Sequence, residues 1–293
     1  MRPIASKTRS MSSSSHRHFE TSDHSAAYAL YRSSPPTSLV RKLADSVRSG
    51  SRALAVDIGC GTGQSTFILS EYFDRVLGVD VSESQIKEAR RASENNSKAK
   101  NVEFRVGSDS KLDLGDRSVD LVTSCQAAHW FDDLAAFYAE ADRVLRPGGA
   151  IAVYGYHFTD PVARGSQEEQ ERVERFLDHR KAFYASIANF FDSRRKLVDE
   201  AYKTIPELIY EDRERDESHF VEIPDRSFGD YLGYISTWSG FRAYSKTNDG
   251  DKLLEDFAMG AKKILGYDTK TKNEDIPMCL RTRYFLLIGR KSL

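Results

Sequence analysis

A chain of 293 residues is long enough for one sizeable core carrying a large insertion. Its 43 Lys plus Arg against 44 Asp plus Glu leave a net charge of -1, hence no global pull toward nucleic acid or an anionic membrane, and no apolar run is long enough to span a bilayer. The three cysteines, Cys60, Cys125 and Cys279, are far apart with no CxxC pair, which argues against a disulfide framework or a zinc site and fits a reducing compartment.

From Met1 to Phe19 there is no acidic residue before Glu20, while Arg2, Lys7, Arg9 and Arg17 are basic and Ser12 to Ser15 run together. Residues 1–18 are read either as a disordered tail or as a mitochondrial targeting segment; they lack the apolar stretch of a secretory signal. The expected compartment is cytoplasmic, with the mitochondrion as the alternative. A short helix is expected over Ser38 to Arg48. Strands and helices then alternate, which predicts a parallel sheet with helices on both faces. Strand one, Arg52 to Ile58, is almost continuously apolar, as a strand buried on both faces should be. A helix (Gln64 to Tyr72), a strand (Arg75 to Val79), a helix capped by Ser82, and strands at Val102 to Val106 and Val119 to Ser124 follow. The next helix, Leu134 to Leu145, is stopped by Pro147, Gly148 and Gly149 ahead of a strand over Ala150 to Gly155. The alternation fails from Tyr156 to Lys246, where long charged and aromatic patterns predict a mainly helical insertion. A helix over Leu253 to Leu265 and a last strand over Arg283 to Gly289 return to the sheet. The expected division is 19–155 for a core, 156–246 for a cap and 247–293 for a closing helix and strand. No internal repeat is visible.

Strand one runs into Asp57-Ile58-Gly59-Cys60-Gly61-Thr62-Gly63 with a helix after it. Glycines at a strand-to-helix turn let a ligand approach the backbone, and the helix start offers unpaired N–H groups. Dinucleotides and S-adenosylmethionine both use this arrangement. The dinucleotide fingerprint needs a third glycine inside the helix start, where this chain has Gln64 or Thr66. Asp80 ends strand two, 17 residues beyond Gly63, at the same sheet edge as the glycine loop. A carboxylate there can accept both ribose hydroxyls of an adenosyl group. The stretch Ser124-Cys125-Gln126-Ala127-Ala128-His129-Trp130-Phe131-Asp132 sits at the end of strand four, where ligands of open parallel sheets bind. Gln126, His129 and Trp130 are read as walling the ligand, and Phe131 as core.

The DxGxGxG loop resembles the first motif of class I S-adenosylmethionine-dependent methyltransferases. AAHWFD at Ala127 to Asp132 and LRPGGAIAVYGY at Leu145 to Tyr156 narrow the likeness to the trans-aconitate methyltransferase-like family. Two further segments agree: Phe19 with Tyr28-Ala29-Leu30-Tyr31-Arg32-Ser33-Ser34-Pro35-Pro36, and Tyr234-Ile235-Ser236-Thr237-Trp238-Ser239. Ser33 departs from the pattern, which has proline there, and so does the turn after strand three. The resemblance implies a Rossmann-like, mostly parallel sheet with an antiparallel last strand. It implies that S-adenosylmethionine is held by Asp57, Gly59, Gly61, Gly63 and Asp80, by the turn at Ser108 and Asp109, and by Gln126, His129 and Trp130. Tyr31 and Arg32 would fold over the donor, and the cap would enclose a small-molecule acceptor.

Methyl transfer from a sulfonium is an in-line displacement in which the protein mainly aligns the two partners. A carboxylate acceptor is anionic at pH 7 and needs a cation or fixed donors to orient it rather than a base. Arg32, Arg194, Arg195, Arg242, Arg281 and Arg283 are the available cations. A hydroxyl or amine acceptor needs a base, and His129 is the residue for it, with Trp238 and Tyr234 lining the acceptor pocket. The expectation is therefore a small-molecule methyltransferase acting on an organic acid, with His129 and Trp238 as catalytic residues, no metal, no nucleic acid or membrane partner, and a monomer or homodimer. Alternatives are a hydroxyl or amine methyltransferase and a non-catalytic S-adenosylmethionine-binding protein.

Overall fold

The first strand, β1 (Leu54–Ile58), is buried along nearly its whole length because helices cover both faces of the sheet it occupies. The computed structural model describes residues 30–32, 34–96 and 99–293. The tail expected over 1–18, and Phe19, Tyr28, Ala29 and Ser33 of the N-terminal segment, lie outside the described residues.

In chain order the elements are α1 (Thr37–Asp45), β1, α2 (Gln64–Leu69), β2 (Arg75–Asp80), α3 (Glu83–Glu94), β3 (Val102–Val106), β4 (Val119–Cys125), α4 (Leu134–Val144), β5 (Leu145–Pro161), α5 (Gln167–Ser186), α6 (Arg195–Asp199), β6 (Arg213–Asp216), β7 (Phe220–Ser227), α7 (Phe228–Ser236), α8 (Ser239–Ser245), α9 (Gly250–Leu265) and β8 (Pro277–Arg290). The sheet order is β3-β2-β1-β4-β5-β8-β6, with β7 also paired to β8. Strands β1 to β5 are parallel and β8 is antiparallel to β5. This is the Rossmann-like arrangement expected, including the antiparallel last strand.

Period-two alternation sends Val56, Ile58, Ile151 and Val153 to one face, against α4, and Ala55, Ala152 and Tyr154 to the other, against α1. Each fully buried large apolar side chain of this kind contributes about 1.5–3 kcal/mol. Ser82 and Asp133 cap α3 and α4 through bonds from the amides of Gln85 and Ala136.

The stretch 156–246 is mainly helical, as expected, and carries strand in addition. β5 runs through it to Pro161, and β6 and β7 within it join β8 at the sheet edge. β6 reads Arg213-Glu214-Arg215-Asp216, a charged run with no apolar alternation; ladder bonds to β8 and ion pairs from Lys42 and Arg290 to Glu214 hold it in place. β7 carries Pro224, and an edge strand with a register shift between Ile223 and Arg226 accommodates it. Phe257, Ala258 and Ala261 of α9 pack with Phe176, Phe183 and Trp238 in one aromatic cluster. Among the described residues no helix is long and apolar enough to cross a membrane.

Candidate active site

The turn after β1 is left-handed at three glycines, with φ of +70° at Gly59, +56° at Gly61 and +88° at Gly63. At Gly59 a side chain is excluded on a second ground: a Cβ there would stand 2.4 Å from the Cβ of Ala127. The amides of Gly59 and Cys60 both donate to the Val79 carbonyl, at 2.7 and 3.1 Å, tying the turn to β2. Gly63 supports the turn from below against the Phe104 ring and does not face the cavity.

Asp57 is fully buried beneath this loop. Its carboxylate accepts from Ser65 Oγ (2.8 Å), Thr66 Oγ1 (2.7 Å) and Thr123 Oγ1 (2.8 Å), bracing β1 to α2 and β4. Burial pushes its pKa up, against the lowering by the three hydroxyls. Asp57 therefore shapes the loop from behind rather than touching a ligand, a correction to its expected role.

Above the loop opens a cavity of about 420 Å³ at the carboxyl ends of the strands, within the range of small-molecule and cofactor sites. Asp80 lines it. Its Oδ2 accepts from the Gly61 amide and its Oδ1 from the Ser82 amide, both at 2.9 Å. Gly107 to Ser110 form the next wall; Ser108 Oγ donates to Asp109 Oδ1 at 3.1 Å and accepts the Ser110 amide at 3.2 Å. Gln126 adopts φ +53°, uncommon for a residue with a side chain. Its Oε1 accepts the Tyr156 amide at 3.0 Å and its Nε2 donates to the Tyr156 carbonyl at 3.3 Å, so the side chain extends the β4–β5 ladder and fixes Tyr156 at the cavity wall. Trp130 and Asp132 complete the strand-four side, and Pro35 of the N-terminal segment reaches the cavity.

Four expected residues lie elsewhere. His129 is buried and turns away from the cavity, its Nδ1 2.8 Å from the Tyr202 hydroxyl. Burial, with the nearby charges of Arg195 and Arg194, pushes its pKa down to about 3. It is a neutral core imidazole bonded to Tyr202 and does not line the cavity. Trp238 is buried in the cap cluster, its ring 4.6 Å from that of Phe158, and its Nε1 makes no hydrogen bond. Packing alone holds it, and it does not line the cavity. Tyr31 packs on α7, its ring filling the space a side chain at Gly233 would need. Arg32 donates to Thr237 Oγ1 at 2.9 Å with its guanidinium 4.9 Å from the Tyr234 ring centroid. These two residues close onto the cap, one layer behind Tyr156. All four are held by partners far along the chain: a hydroxyl for His129, rings for Trp238, α7 for Tyr31, and a hydroxyl and a ring for Arg32.

Several wall residues were not singled out from the sequence. Cys60 and Cys125 line the cavity, and burial raises both thiols, so neither is a poised nucleophile. Asp133, the cap of α4, and Tyr156, within β5, line it too. Among the described residues the wall carries the carboxylates of Asp80, Asp109, Asp132 and Asp133 and no arginine, lysine or histidine. That charge suits a cationic ligand, and the side-chain-free floor at Gly59 and Gly61 suits one that lies against backbone.

Comparison with known proteins bears on the same region. A family profile described as a methyltransferase domain matches residues 56–153, from β1 into β5. A Dictyostelium discoideum protein named as a methyltransferase is 33% identical over 245 residues, 82% of this chain and 83% of that protein. A Saccharomyces cerevisiae protein named as an S-adenosylmethionine-dependent methyltransferase is 23% identical over 284 residues, 91% of this chain and 95% of that one. Among solved structures, one described as a type II methyltransferase from Anaeromyxobacter dehalogenans superimposes with a TM-score of 0.70 at 28% identity, covering 90% of this chain and all of that one.

Proposed function

Since this chain belongs to the class I S-adenosylmethionine-dependent methyltransferases, we propose that its acceptor is a small organic acid and that it esterifies a carboxylate, as a member of the trans-aconitate methyltransferase-like branch. The single observation that carries the acid reading is the cavity wall. Among the described residues its proton acceptors are carboxylates, weak bases at pH 7, with no imidazole or amine among them, and His129 faces Tyr202 instead. A hydroxyl or ammonium acceptor would have to lose a proton to react. A carboxylate is already ionised at pH 7 and needs no base.

In this reading Gly59 and Gly61 form the floor under the donor, Asp80 accepts from its ribose hydroxyls, and Ser108 and Asp109 face its adenine. Gln126 and Trp130 border the methyl group, and the carboxylates around the wall balance the sulfonium charge. When bound, S-adenosylmethionine supplies a methyl carbon already activated by its attachment to a positive sulfur. An acid acceptor would take that carbon with no proton for the protein to remove. The protein's contribution is alignment and exclusion of water. The acceptor side lies toward Trp130, Asp132 and Tyr156, at the junction with the cap. The near-neutral net charge fits a small molecule better than nucleic acid.

The test is calorimetric titration with S-adenosylhomocysteine, then a methyl-transfer screen over mono-, di- and tricarboxylic acids from acetate to citrate. The expected product is a base-labile methyl ester. Turnover of a hydroxyl or amine but no acid would overturn the acid reading.

A further inference from the structure

The wall of the cavity is acidic among the described residues, and among these a cation for an acid acceptor comes from behind it. Of the arginines named from the sequence, Arg195 is paired with Asp199 at 2.9 Å, Arg281 with Glu222, and Arg32 is bonded to Thr237. Arg194 differs because it touches the wall itself. It lies just ahead of α6, on the cap segment that crosses the end of β4. Asp192 holds one edge of its guanidinium: Nε is 3.1 Å from Oδ1 and Nη2 is 3.3 Å from Oδ2. The backbone amide of Arg194 also donates to Asp192 Oδ1, at 2.9 Å. The opposite edge is aimed at the cavity mouth. Nη1 donates to the Trp130 carbonyl at 3.3 Å and stands 3.6 Å from Asp132 Oδ1, while the guanidinium carbon is 5.1 Å from the Trp130 ring centroid. Trp130 and Asp132 are both wall residues.

Arg194 is thus a cation oriented by one carboxylate and directed toward a second that it does not reach within hydrogen-bond distance. The Asp132 side chain is 69% exposed, and an ion pair this long and this wet is weak. Taking the acceptor to be an acid, as above, we propose that Arg194 receives a carboxylate of the acceptor at the cavity mouth, and that Asp132 holds this place until the acid displaces it. Stacking on Trp130 keeps the guanidinium plane fixed, so the acid meets a directed N–H rather than a mobile charge. A second carboxylate on the substrate would serve best: one end pairs with Arg194 while the other lies at the methyl. The proposal therefore favours di- and tricarboxylic acids over acetate.

The experiment is steady-state kinetics over the acid panel for wild type, Arg194→Gln, Arg194→Lys and Asp132→Asn, with S-adenosylhomocysteine affinity measured for each. Arg194→Gln is expected to raise KM for di- and tricarboxylic acids tenfold or more while S-adenosylhomocysteine affinity stays within about twofold, with Arg194→Lys in between. Asp132→Asn, which removes the competing charge, is expected to lower that KM. An unchanged KM in Arg194→Gln would overturn the proposal and leave the acid reading standing. So would a parallel loss of S-adenosylhomocysteine affinity, because Arg194 would then only support Trp130. Should the Arg194 variants fail to fold, Asp132→Asn decides alone: a raised KM counts against the exchange. If wild type turns over no acid, the acid reading falls and this proposal with it.

Discussion

Asp57 and Asp80 lie at or beside the ends of neighbouring strands, one inside the glycine-rich motif and one 17 residues beyond Gly63, yet they have opposite duties. Asp57 satisfies three buried hydroxyls; Asp80 faces the cavity with two backbone amides at its back. Asp57→Ala orphans the three hydroxyls and is expected to cost about 3 kcal/mol of stability, read from denaturant midpoints. Asp80→Ala is expected to weaken S-adenosylhomocysteine binding at least tenfold for a stability loss of about 1 kcal/mol. Equal stability losses in the two would mean that they share a bracing role. The cavity position of Asp80 was legible because the motif places it locally, at a strand end beside the loop. The inward turn of His129 was not legible. It sits in a single 3-10 turn whose facing is decided by the Tyr202 hydroxyl, far along the chain. Trp238 was misread for a related reason: a tryptophan serves a pocket or a core equally well, and only the company of Phe158, Phe183 and Tyr184 decides between them.

At the scale of elements, the segment after α6 controls how the cap meets the core. Ala201 and Tyr202 are left-handed in succession, with φ of +53° and +56°, although neither is glycine. Such a turn costs free energy and persists only when its surroundings impose it. The Leu197 carbonyl accepts the Tyr202 amide at 2.7 Å, and Arg215 of β6 donates to the carbonyls of Ala201 (2.6 Å) and Tyr202 (3.1 Å). The turn delivers the Tyr202 ring to His129 and Phe285, on the inner side of the cavity wall. Arg215→Ala is expected to lower stability by about 1 kcal/mol in urea unfolding, an exposed site muting the gain from a charged donor. Faster hydrogen exchange at Tyr202 should accompany it; unchanged exchange there would show that the turn holds without the arginine. The sequence could not reveal this element, because β6 is four charged residues and resembles a loop until β8 is beside it.

For the whole molecule, the parallel half was legible because doubly buried strands announce themselves as apolar runs between helices. The cap half was not, because its strands lie at an edge, one charged and one holding a proline. The donor cavity belongs to the legible half, so filling it should stabilise the fold as a unit. S-adenosylhomocysteine at a hundredfold excess over its Kd is expected to raise the unfolding free energy by about 2.7 kcal/mol, seen as a higher Tm. A ligand that binds but leaves Tm unmoved would indicate a site that the unfolded chain retains. One further consequence lies in β8. This strand, late in the chain, sits inside the sheet, with β5 on one edge and β6 and β7 sharing the other. During synthesis, β1 to β5 can assemble early from neighbouring segments, but β6 and β7 have no ladder to join until residues 277–290 have left the ribosome. Folding should therefore finish in one late, non-local step. Until then the open edge of β5 and the aromatic cap are the surfaces a chaperone would meet.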